Sequence, residues 1–85
     1  MENSSKKVRN ELQALEYTFV ELLRIKESLN KKSEMLSNFR RADRRILRVK
    51  KCIERETQKI ASDLVSYGLD EAQINILMIE ALNPA

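Results

Sequence analysis

The chain has 85 residues with one Gly, one Pro, no Trp and 34% charged residues, the composition of one small helical domain (1–85) with few breaks. With no His and a single Cys, no ordinary zinc site, Ser-His or Cys-His nucleophile or internal disulfide can be assembled, and no cofactor and no enzymatic activity are expected. The net charge of +3 is unevenly spread: residues 39–55 carry eight basic and two acidic groups (+6), residues 56–85 carry −4, and residues 1–38 carry +1.

The first helix is expected over about residues 5–35, capped by Ser4 or Ser5. From there Val8, Leu12, Leu15, Phe19 and Leu22 recur at alternating spacings of four and three, and the frame continues through Lys26, Leu29, Ser33 and Leu36. This is a heptad seam of coiled-coil type. Lys26 and Ser33 interrupt it, either as a snorkelling lysine and a tolerated serine or as a device that fixes register with a partner.

The segment Lys31 to Asn38 is the break between the two long helical patterns. Ser37 or Asn38 is the expected cap of a second helix running over about residues 39–67. At about 100° per residue, Arg40, Arg44, Arg48, Lys51 and Arg55 fall in one sector about 80° wide. The apolar set Ala42, Ile46, Val49, Ile53, Ile60, Leu64 and Tyr67 falls in another, about 60° wide and centred about 170° away. One helix thus presents a narrow apolar stripe to a partner and a cationic ridge to solvent. Cys52 lies beside the ridge and is read as a free cysteine.

Gly68 fits the left-handed position that ends a helix, with Leu69 as its hydrophobic follower. Asp70 then caps a third helix over about residues 71–82, which stops at Asn83-Pro84. Apolar residues cover most of its circumference, so it is expected to be buried on more than one side. The fold expected is therefore all-α: a long antiparallel helical hairpin plus a short third helix, self-associated as a homodimeric bundle. Leu15, Phe19, Leu22, Ile74, Leu77 and Met78 are the expected oligomer interface.

Arg40 to Arg55 spans about 22 Å of helix, enough to follow phosphates across a groove of duplex nucleic acid. No Asn or Gln is interleaved with these arginines at groove-reading spacing, so the expected mode is backbone and shape recognition without sequence preference. The residues expected to bind are Arg40, Arg41, Arg44, Arg48, Lys51, Arg55 and Lys59, with Ser62 and Ser66 continuing the face. The scarcity of aromatics argues against stacking on single strands. A coiled-coil assembly subunit whose ridge docks an acidic protein is the competing reading. No apolar run approaches the roughly 18 residues of a membrane span, and no signal peptide is expected from the Met-Glu-Asn-Ser-Ser-Lys-Lys start. The expected setting is therefore intracellular, the cytoplasm, including that of a host cell for a viral protein.

Two resemblances bear on these readings. Asn38-Phe39-Arg40-Arg41, followed by Ile46, Val49, Ile60, Leu64 and Val65, resembles the second helix of the nodavirus suppressors of RNA silencing. The likeness covers about thirty residues plus the overall helix pattern. It implies a small dimer of two long helices and a short third lying along one face of double-stranded RNA, with Lys59 as the late basic residue of that helix. Arg9 and Lys26 on the first helix, with Gly68-Leu69-Asp70 before the last, also resemble the all-helical chorismate mutases, which would make Arg9 and Lys26 ligands of a dicarboxylate. That pattern departs where Arg44-Arg45 replaces the expected Arg-Glu pair and where Lys26 replaces an arginine.

Overall fold

The heptad seam produces one uninterrupted helix. The computed structural model describes residues 2–83, with side chains from Lys7 onward. It is all-helical, with α1 (Glu2–Met35), α2 (Arg40–Ser66) and α3 (Glu71–Leu82), and holds no strand among the described residues. The molecule is a rod of 57 × 22 × 19 Å.

α1 begins at Glu2, so Ser4 and Ser5 lie inside the helix rather than at its cap. The start of α2 also differs from expectation. Leu36 N–H donates to the Lys32 carbonyl at 2.9 Å and Phe39 N–H to the Leu36 carbonyl at 2.8 Å, so the chain leaves α1 through a turn that consumes Ser37 and Asn38. Phe39 is left at the N-cap, where it supplies no side-chain hydrogen bond and stays 64% exposed. The other junction follows the sequence signals. Gly68 adopts φ +101°, Gly68 N–H donates to the Val65 carbonyl at 2.9 Å, and Leu69 N–H reaches back to the Leu64 carbonyl at 3.1 Å. These are the paired bonds of a Schellman ending. Asp70 then caps α3 in a reciprocal capping box with Gln73. Asn83 follows as the C-cap of α3, and Pro84 lies outside the described residues.

α1 packs against α2 along its length, and α3 packs chiefly on α1. Three side-chain ties join the long helices. The Tyr67 hydroxyl donates to Glu11 at 2.7 Å, Lys26 Nζ lies 3.4 Å from Glu54, and the Ser33 hydroxyl donates to Asp43. Both interruptions of the α1 seam are therefore matched by acids of α2 in the same chain. A polar pair at a seam position fixes register because any slip leaves both groups unpartnered.

The core is Phe19, Val20, Leu64, Leu77 and Ala81, flanked by Leu12, Leu15, Leu23, Ile60, Ala61, Leu69 and Ile74. Val20 lies off the heptad seam, and its burial comes from α3, which leans on that flank of α1. The buried face of α2 is correspondingly broader than the stripe read from hydropathy. Thr57 is buried, and its hydroxyl donates to the Ile53 carbonyl at 2.6 Å, which satisfies it without a tertiary partner. Val49 and Tyr67, assigned to the stripe, stand half-exposed at its edge.

α3 carries more apolar surface than the two long helices of its own chain cover. Only one side is buried, through Leu77 and Ala81 with Ile74 beside them, while its other side faces solvent. Phe19 and Leu77, expected between subunits, are buried within the chain itself. Leu15 and Ile74 pack against the same core, Leu22 is partly buried, and Met78 is exposed.

Candidate nucleic-acid interface

α2 owes its two-faced character to the spacing of its residues. Positions facing α1 are mostly apolar or find a polar partner there, and the sector from Arg40 to Arg55 on the opposite side is basic. Arg40, Arg41, Arg44, Arg48, Lys51, Arg55 and Lys59 are all exposed. The first six share one sector about 100° wide along about 22 Å of helix. Among the described residues none of these six forms an ion pair, while Lys59 lies 3.3 Å from Glu56. Arg45, not among the residues expected to bind, is likewise exposed and unpaired at the flank of the ridge, whereas Lys50 is partly buried toward α1.

The fate of the two acids in this segment explains why the ridge is so clean. Asp43 and Glu54 are partly buried, the first accepting from Ser33 and the second paired with Lys26. Both are turned off the ridge and engaged by α1. What was missing from the sequence reading was the pairing of two seam interruptions with two acids. The signal was present, since Asp43 and Glu54 phase about 20° apart, about 40–60° beyond the Arg40 edge of the ridge.

This arrangement carries an internal electrostatic cost. Arg40–Arg44, Arg44–Arg48 and Lys51–Arg55 are like-charged pairs at i,i+4, each destabilising by roughly 0.2–0.5 kcal/mol. Arg40 and Arg41 also sit in the first turn of α2, whose macrodipole is positive at that end. Charge of one sign, exposed and uncompensated within the chain, is relieved by an anion laid along it. The Ser66 hydroxyl donates to the Ser62 carbonyl at 3.1 Å, so farther along this face the Ser66 proton is committed to the backbone and its oxygen remains an acceptor.

The opposite pole is acidic. Glu11 and Asp63 line a hollow of about 480 Å³ with Ala14, Leu15, Thr18 and Tyr67. The bond to Glu11 raises the Tyr67 pKa above its ordinary value, with smaller contributions from desolvation and from the charges of Glu11 and Asp63. Cys52 is exposed and free. Among the described residues no three His, Cys, Asp or Glu side chains cluster to hold a metal ion, and no helix is long and apolar enough to cross a membrane. Arg9 is exposed and Lys26 is tied to Glu54, and this pair named by the chorismate mutase resemblance stands about 25 Å apart along α1. Comparison with protein-family models, with curated proteins and with solved structures finds no match.

Proposed function

We propose that this protein binds double-stranded RNA without sequence preference, as a suppressor of RNA silencing of the nodavirus type would. In this reading the two long helices form an antiparallel hairpin within a homodimer, and the exposed ridge of α2 follows the phosphate backbone. The observation that carries the reading is the withdrawal of Asp43 and Glu54 from the ridge by Ser33 and Lys26. It leaves Arg40, Arg41, Arg44, Arg48, Lys51 and Arg55 with no acidic partner among the described residues.

Each guanidinium offers a forked donor to phosphate oxygens, and the row of cations displaces condensed counterions from the duplex. The chemistry is binding rather than catalysis: the duplex is covered and withheld from other proteins. RNA is favoured over DNA because A-form duplexes are recognised by shape, phosphates and 2′-hydroxyls, which suits a face with no base-reading amides among its arginines. The half-exposed apolar side of α3 favours the second reading, an assembly subunit whose ridge docks an acidic protein.

Filter-binding titration with short RNA and DNA duplexes and an acidic polypeptide separates the two. The duplex reading expects RNA to be retained at low salt more tightly than the polypeptide. Retention of the polypeptide alone would replace it with the second.

A further inference from the structure

The dimer in the reading above has an unassigned contact surface, and the residues first expected to form it are largely consumed in the chain's own core. Phe19 and Leu77 are buried, and Leu15 and Ile74 pack against them. Part of the apolar surface left over lies on the outer side of α3, while other exposed apolar side chains, among them Tyr17, Met35, Phe39 and Val65, stand on the two long helices and their junction. Ile76, Ile79 and Leu82 are 63%, 66% and 64% exposed, and Met78 beside them is 43% exposed.

With about 100° per residue, Leu82, Asn75, Ile79, Ala72, Asn83 and Ile76 occupy one arc about 120° wide. No member of that arc is charged; Glu71 and Glu80 stand at its two edges. Ala72, Asn75, Ile79 and Leu82 follow one another at spacings of three, four and three, the repeat of a helix-pairing seam.

We infer that a second copy of this chain docks on this face, outer side of α3 against outer side of α3, about a two-fold axis. The occupant follows from three features. A charge-free stripe is self-complementary, whereas the cationic ridge of one copy repels the ridge of another. Antiparallel pairing of two copies of α3 sets bulky Leu82 of one against small Ala72 of the other, and opposes their helix dipoles favourably. The ridge residues take no part in the contact, so both ridges stay available.

The area also sets the strength. One 12-residue helix per copy falls at the small end of specific interfaces, so the dissociation constant should be micromolar, on the order of 1–100 µM. Like-charged acids at the rim oppose association, so added salt should strengthen it, opposite to its effect on duplex binding.

The test is sedimentation equilibrium of the full chain without nucleic acid, from about 1 µM to about 1 mM, at two salt concentrations. This inference rests on the homodimer of the proposed reading, but the assay is independent of whether RNA binds. The expected result is a mass rising from one to two copies, more readily at high salt. Ile76→Glu and Ile79→Glu should each raise the dissociation constant by about 100-fold, because two-fold symmetry counts each roughly tenfold loss twice. Both residues face solvent, so far-ultraviolet circular dichroism should remain that of the parent. A chain monomeric throughout the range, or dimers undiminished in folded Ile76→Glu and Ile79→Glu proteins, would overturn the inference.

Discussion

Replacing Arg44, Arg48 and Arg55 together by Ala separates a binding ridge from a structural one. All three side chains are exposed, and among the described residues none has an ionic partner. Their removal should therefore change folding stability by no more than about 0.5 kcal/mol, with a slight gain possible from relieving the Arg44–Arg48 repulsion. The effect on duplex binding is much larger. Six ridge cations meeting six phosphates give a slope of about −5 in log affinity against log salt, a loss of roughly 10³-fold between about 50 and 200 mM. With three cations left, the slope falls to about −3 and the loss to roughly 40-fold over the same interval. Titrations of one short RNA duplex at several salt concentrations give both slopes, and thermal melting reports the fold. An unchanged slope in the folded triple variant would refute the ridge as the contact surface. A melting temperature that collapses would show instead that the arginines hold the helix pair together.

Two further outcomes follow from the fold. Phe39→Ser places an ordinary capping hydroxyl where the phenyl ring neither caps nor packs, so stability should rise by about 1 kcal/mol and the melting temperature by about 4–8 °C. A lower melting temperature would mean that Phe39 is held by contacts it does not make here. Tyr67 carries its proton to higher pH in the folded chain than in the unfolded one, because the hydroxyl donates to Glu11. The native state then binds more protons above about pH 10, so stability from this bond is present below that pH and declines as pH rises through the raised pKa. In a Tyr17→Phe background, ultraviolet titration should show the Tyr67 midpoint moving down when Glu11 becomes Ala, and a midpoint indifferent to Glu11 would contradict the assignment.

Local chemistry made the helices legible before any tertiary information. Gly68-Leu69-Asp70 carried a helix stop and the next start in consecutive residues, and the only element missed there was Gln73, the reciprocal half of the capping box. The first junction was less legible. Ser37 and Asn38 are better caps than Phe39, but the turn that closes α1 consumed them. Tertiary packing decided what periodicity could not. Val20 became core because α3 chose that flank of α1, and Thr57 became buried because its hydroxyl could bond within its own helix. The apolar circumference of α3 correctly signalled a helix with more greasy surface than one neighbour can cover. Which half would stay open required knowing that Leu77 and Ala81 face α1. The cationic ridge was readable from helical phasing, whereas the disposal of Asp43 and Glu54 needed the partners on α1.

The most direct measurement is the affinity of the unmodified chain for a short RNA duplex at low salt and again at about four times that concentration. Tight binding at the lower concentration that weakens by roughly three orders of magnitude at the higher is the result expected of an acid-free ridge following phosphates. No retention of the duplex at low salt, with the chain folded, would contradict it.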